Sequence, residues 1–114
     1  MCFTVSLCEN YMFLRLYRSG KSLVTPWVVV YFRKNDLDVN RLGITTSKKI
    51  GGAVQRNRAR RIVKEAYRLI EPQLKKGFDV VIVVRKKAVY GKMWDIKRSL
   101  EYVLKNSPLI SKSG

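Results

Sequence analysis

The side chains best placed to do chemistry in this sequence are cations. Between Arg41 and Arg68 stand nine Lys or Arg residues and a single acid, Glu65. Projected at about 100° per residue, the segment from Ala53 to about Glu71 divides into two faces. Ala59, Ile62, Val63, Ala66, Leu69 and Ile70 share one arc, which predicts a helix laid on a sheet. Arg56, Asn57, Arg60, Arg61, Lys64 and Arg68 share the arc roughly opposite, and Arg58 lies apart, placed to reach round an edge. Solvated helix faces ordinarily mix signs to gain i,i+4 pairs. Here like charges stand one turn apart, a cost to the isolated helix that a polyanion offsets. Because the guanidinium fork grips phosphate in bidentate fashion, the arc predicts a phosphate-binding face.

The whole chain agrees with its helix. Twenty-four Lys and Arg against eight Asp and Glu leave a net charge of +16 on 114 residues. Such an excess opposes compaction and implies a polyanionic partner, nucleic acid before membrane. The sequence contains no histidine, which removes imidazole general bases, Ser-His and Cys-His pairs and His-based zinc sites. Cys2 and Cys8 are too few and wrongly spaced for zinc, and read as free thiols in a reducing cytosol. Asp36 and Asp38 could suggest a metal site, but with Asn35 and Asn40 beside them they read as turn chemistry. No side-chain set here could hydrolyse a phosphodiester alone, so no catalytic or metal-ligating residue is assigned. Nothing approaches the ~20 apolar residues of a membrane span, and Met1 to Cys8 lacks the basic start of a signal peptide. The expected location is the cytoplasm, with no membrane partner and no small-molecule substrate.

The elements that must position the cations follow from periodicity. The length suits one domain over residues 1–114, with 1–8 and 107–114 as flexible ends. Glu9 to Arg18, closed by Gly20, reads as a short helix with Phe13, Leu14, Leu16 and Tyr17 at helical spacing. Trp27 to Arg33 is a β-branched and aromatic strand; Lys34 to Asn40 is a turn; Arg41 to Ser47 is a second strand, expected to pair with the first as a hairpin. A basic loop, Lys48 to Gly52, leads into the helix from Ala53, which Pro72, Lys76 and Gly77 end. Phe78 to Val84 is apolar enough for a buried central strand. Arg85 to Lys87 is a basic step, and Lys92 to Lys105 a last amphipathic helix with Met93, Ile96, Leu100, Val103 and Leu104 inward. The order α-β-β-α-β-α describes an α+β sandwich, which admits a further short strand near Ser22 to Thr25. Arg41 to Val84 is then a parallel βαβ unit, right-handed by the general rule.

The stretch from Ser47 to Arg68, SKKIGGAVQRNRARRIVKEAYR, resembles the signature segment of the bacterial ribonuclease P protein family. That family shows a Lys-Lys-x-Gly loop, an Arg-Asn-Arg core, a basic pair and an acid-Ala-aromatic-Arg ending. The aromatic helix before Gly20, the Leu42-Gly43-Ile44 strand, and Gly77-Phe78-Asp79 with Arg85 are similar to the family as well. The resemblance implies an endoribonuclease subunit that aids removal of the 5′ leader from precursor tRNA, with catalysis carried by the RNA subunit and Mg²⁺ bound mainly by that RNA. It implies catalytic-RNA contacts at Lys49, Arg56, Asn57, Arg58, Arg60, Arg61, Lys64 and Arg68. It implies a cleft for the single-stranded leader at Phe13, Tyr17 and Tyr31, with Ser47, Lys48 and Arg85 nearby. It also implies a left-handed βαβ crossover, against the general rule. Two departures stand out. The family is often basic around a Leu before the first helix, whereas Leu7 here is flanked by Ser6, Cys8 and Glu9; and Gly52 stands where an Asn often caps the long helix. A basic RNA-scaffolding protein of ribosomal type would explain the charge but not the aromatic helix together with the signature, and nothing resembles a DNA-recognition helix or zipper.

Overall fold

The computed structural model describes residues 4–7, 10–105 and 107–109. Cys2, Cys8 and Glu9 lie outside them, so the reading of the thiols does too. The elements in chain order are β1 (Thr4–Ser6), α1 (Asn10–Ser19), β2 (Lys21–Val24), β3 (Val28–Lys34), β4 (Asn40–Thr45), α2 (Ala53–Ile70), β5 (Phe78–Val84) and α3 (Met93–Leu104). Short 3₁₀ turns cover Lys48–Ile50, Glu71–Gln73 and Lys86–Tyr90.

The five strands form one sheet in the order β1-β4-β5-β3-β2. The hairpin expected between β3 and β4 does not form: β5 lies between them, antiparallel to β3 and parallel to β4. The physical reason is burial. β5 is apolar on both faces and nearly all buried, so it takes the centre, while its neighbours alternate. β4, α2 and β5 make the expected parallel βαβ unit. The extra strand near Ser22 is present as β2, the antiparallel partner of β3. β1 was not expected at all. It is three residues long and pairs parallel to β4 through Thr4↔Asn40, Val5↔Arg41 and Ser6↔Leu42.

Helices cover both faces of the sheet. On one, α2 and α3 bury Ala59, Val63, Ala66, Tyr67, Ile96, Leu100 and Leu104 against Val28, Val30, Phe32, Val80 and Ile82. On the other, α1 lays Leu16 over Val81 beside Leu7, with Met12, Phe13, Tyr31 and Val83 packed around them. Gly43 makes this close approach feasible, since a Cβ there would lie 2.5 Å from the Phe13 ring. The ends are held where they are described. Leu7 and Leu109 are buried, and Lys75 N–H donates to Leu109 O at 2.7 Å, so these parts of the ends are packed rather than loose.

Polar locks join the strands. Asn40 is fully buried; its amide donates to Lys75 O and accepts from Phe78 N–H, fixing the start of β5 beside β4. Asp79 accepts from Arg41 Nε and Nη2 at 2.6 and 2.7 Å and from Asn35 Nδ2 at 2.9 Å. Asn35 also turns the chain, its Oδ1 accepting from Leu37 N–H, while Asp36 sits at a φ of 60°. Asp36 therefore occupies the turn that its sequence implied.

Tyr67 shares a 3.0 Å hydrogen bond with the Thr4 hydroxyl, tying α2 to β1. Burial raises its pKa above the usual tyrosine value, against the pull of that hydrogen bond. A folded pKa above the unfolded one means that the unfolded chain gives up the proton first. Stability is retained below about pH 10 and declines as pH rises beyond it. Tyr67→Phe is expected to be less stable than the parent near neutrality, by about 1 kcal/mol for the lost hydrogen bond. The gap should narrow above about pH 10. Urea midpoints across that range measure it, and a constant gap would contradict the assignment.

Candidate nucleic-acid interface

α2 presents its cations as periodicity implied, but not all remain available. Arg56, Arg61 and Lys64 make no hydrogen bond or ion pair among the described residues, and neither does the Asn57 side chain. Arg60 Nη2 donates to Thr46 Oγ1 at 2.9 Å, which aims it along the end of β4. Arg68 is paired with Glu65 at 2.5 and 3.0 Å, and its guanidinium holds that carboxyl below the usual range. Arg58 does reach round the edge. Its guanidinium donates to Val89 O at 2.8 Å and to Gly91 O at 3.3 Å, fastening α2 to the turn before α3. Three of the eight positions of the expected docking face, Arg58, Arg60 and Arg68, thus also hold bonds within the chain, and the freest charges on α2 are Arg56, Arg61 and Lys64.

The loop ahead of α2 is built by short-range bonds. Ser47 Oγ accepts from Lys49 N–H at 3.2 Å and caps the 3₁₀ turn, leaving the Lys48 and Lys49 side chains exposed. Gly51, at a φ of 149°, adopts a conformation that side chains disfavour. Gly52 offers no capping side chain; instead, Gln55 Oε1 reaches back to accept from Gly52 N–H at 2.8 Å. That bond supplies part of what an Asn would have given.

Across the sheet, α1 stands over only part of its face. Phe13 and Tyr17 are one turn apart; Phe13 is half-buried over Gly43, and Tyr17 is exposed. Tyr17 meets Tyr31 of β3 edge-to-face, ring centroids 5.0 Å apart. Beyond that pair the register sets Val29, Val83 and Thr45 side by side, all half-buried, as an uncovered floor. Ser47, Lys48 and Arg85 follow the adjacent C-terminal ends of β4 and β5. Arg85 is held there by its backbone N–H to Trp27 O and by Nη1 to Thr25 O, both at 2.9 Å. The structure therefore sets Phe13, Tyr17 and Tyr31 on the α1 face of the sheet, with Ser47, Lys48 and Arg85 beyond the ends of β4 and β5.

One part of the site had no sequence signal. A groove of about 460 Å³ runs along the β1–β4 edge, between Phe13 on one side of the sheet and Arg60 and Lys64 on the other. Its wall is Thr4 to Leu7, the strand that periodicity did not reveal. Through it, the aromatic cleft and the cationic helix become two sides of one edge. Among the described residues no three His, Cys, Asp or Glu side chains gather as metal ligands. Nor is any described helix long and apolar enough to cross a membrane.

These features define a class: a compact α+β scaffold that displays an aromatic cleft and an arginine-rich helix on either side of one sheet edge. Comparison with known proteins specifies the family. Residues 3–107 match the family model for ribonuclease P. The ribonuclease P protein component of Thermoanaerobacter sp. (strain X514) is 39% identical over 105 residues, covering 92% of this chain and 90% of its relative. The solved structure of the Staphylococcus aureus RNase P protein superposes with a TM-score of 0.81 at 33% identity, over 93% of this chain and 97% of that one. The Thermotoga maritima RNase P protein gives a TM-score of 0.78 at 38% identity, over 88% and 94%. The chain belongs to the ribonuclease P protein component family. It is an RNA-partnered subunit of a tRNA-processing endoribonuclease, and the ribosomal-type scaffolding alternative is not favoured.

Proposed function

We propose that the α2 face docks on the catalytic RNA while the cleft under α1 holds the 5′ leader of precursor tRNA. The observation that carries this reading is two surfaces on opposite faces of one sheet: unpartnered Arg56, Arg61 and Lys64 on α2, and Phe13, Tyr17 and Tyr31 on the α1 face, with Phe13 and Lys64 both lining the β1–β4 groove. A leader is single-stranded and varied in sequence. Aromatic faces stack on any base and cations follow any backbone, so the cleft recognises chain chemistry rather than sequence. Lys48 and Arg85 continue the contact along phosphates, and Lys49, Arg60 and Arg68 extend the docking face. Asn57 adds a neutral donor and acceptor there, and Arg58 contributes its remaining N–H groups from the edge.

On this reading the protein does not cut. Three of its acids are engaged elsewhere: Asp79 with Arg41 and Asn35, Glu65 with Arg68, and Glu101 with Lys97 at 2.7 Å. Mg²⁺ would be held by the RNA, where it would supply an activated water for in-line attack. The chain's own residues neutralise crowded phosphates between two RNAs, orient the leader and so favour assembly of the reacting complex in the cytoplasm.

The test adds purified protein to a bacterial catalytic RNA and precursor tRNA at low Mg²⁺. Cleavage should be stimulated, and absence of stimulation would defeat the proposal. A leader-length series then separates the surfaces. Phe13→Ala with Tyr17→Ala should weaken binding of leader-bearing substrate about tenfold or more, from ~1–3 kcal/mol per lost stacking contact, and leave mature tRNA binding unchanged. Equal losses on both substrates would place the leader elsewhere.

A further inference from the structure

A second aromatic and cationic surface lies on the far side of the molecule, and the reading above does not use it. The outward face of α3 carries Trp94, Arg98 and Tyr102 at i, i+4 and i+8, with Lys105 following on the same arc. Helical geometry aligns these positions over about 12 Å. Trp94 is 58% exposed and Tyr102 75%, while the opposite face of the helix buries Ile96, Leu100 and Leu104 completely. Single exposed apolar residues are common and need no explanation. Two aromatics interleaved with an arginine in one helical row are a different case.

Two further observations favour a polyanion there. The acids of α3 are both engaged: Asp95 Oδ2 accepts from Lys92 N–H at 3.3 Å, and Glu101 is ion-paired with Lys97. Arg98, Lys105 and the Tyr102 hydroxyl have no partner among the described residues. The row also has a floor. A groove of about 450 Å³ separates α3 from β2, lined by Arg98, Ser99 and Tyr102 on the helix and by Val24, Thr25 and Pro26 on the sheet edge. β2 ends the sheet opposite to β1, and α3 covers the face away from α1, so this groove lies across the sheet from the aromatic platform of Tyr17 and Tyr31.

We infer that the outward row of α3, with the α3–β2 groove beside its Arg98 and Tyr102, is a second binding site for unpaired RNA, with Trp94 and Tyr102 stacking on bases and Arg98 gripping the phosphate between them. Stacking requires unpaired bases, because a duplex offers no free base faces. A second copy of this chain fits less well, since it would bring the same unpaired cations face to face on a molecule already at +16.

The chain has two tryptophans, Trp27 and Trp94, so Trp27→Phe leaves Trp94 as the reporter. The probe is an oligouridine of about a dozen nucleotides, titrated against the full chain. Quenching of Trp94 emission is expected, and Arg98→Ala or Tyr102→Ala in that background should each shift the titration midpoint at least about fivefold, as stacking and phosphate contacts of this kind do. If the oligouridine binds by anisotropy yet leaves Trp94 unquenched, the inference falls while the proposed function stands. Quenching indifferent to Arg98→Ala and Tyr102→Ala would also overturn it. So would Trp94 emission that tracks protein concentration alongside a dimer in sedimentation, which would assign the face to self-association. Circular dichroism of each variant guards against misfolding, and should Trp27→Phe unfold, the parent chain compared with Trp94→Phe gives the same readout by difference.

Discussion

Arg61→Ala combined with Lys64→Ala is expected to lower affinity for the catalytic RNA about a hundredfold, roughly tenfold for each charged contact removed. The plot of log affinity against log salt should lose about two units of slope, because each cation that neutralises a phosphate releases about one counterion. These two side chains suit the purpose because neither makes a hydrogen bond or ion pair among the described residues, so their removal leaves the fold's own bonds intact. Arg58→Ala should behave differently. It withdraws donors from Val89 O and Gly91 O, and part of its effect on RNA binding would come through a loosened turn before α3. Filter binding across a salt series measures both, and an unchanged slope for the Arg61 and Lys64 pair would remove RNA from the outer face of α2.

The largest effect on stability is expected at Asp79. Its carboxylate is mostly buried, accepts both prongs of the Arg41 guanidinium and a third bond from Asn35, and holds the register of three strands. The hydrogen-bonded carboxylate in turn raises the Arg41 pKa, so the guanidinium keeps its charge. Asp79→Ala should cost about 3 kcal/mol, because it strands a largely buried guanidinium and an amide without an acceptor. That is a large fraction of the ~5–15 kcal/mol that typically holds a domain together. Adding Arg41→Met should recover part of the loss, since an apolar replacement for a whole buried pair is far cheaper than half a pair. Urea midpoints at constant m-value provide the comparison. A loss below about 1 kcal/mol would mean that the pair is only a surface ornament of the sheet.

Much of this is legible in the sequence alone. α2 and α3 fall within a residue or so of the expected ends, because each carries an apolar arc with punctuation, Gly52 before one and Pro72 after it. The cationic arc of α2 was visible for the same reason. What the sequence could not disclose depends on partners distant in the chain. β1 is three residues with no alternation of its own, and it exists because β4 has a free edge and Tyr67 offers Thr4 a hydroxyl. A β3–β4 hairpin is the natural expectation because adjacency in sequence normally implies adjacency in a sheet. β5, buried on both faces, overrode that preference. Likewise the basic spacing could not reveal that Arg58 spends donors on backbone carbonyls, or that the groove beside β1 would join Phe13 to Arg60 and Lys64.

The central position of β5 also bears on how the molecule comes into being. β5 is the last strand made, and the pairs β1–β4 and β2–β3 join into one sheet only through it. A nascent chain released as far as Ile70 has already delivered every cation from Lys48 to Arg68, yet it lacks the strand against which α2 must lie. Closing contacts so far apart in sequence is slow compared with winding a helix. For that interval the arginines exist as charge before they exist as a surface, and Phe78 to Val84 supplies the strand that converts one into the other.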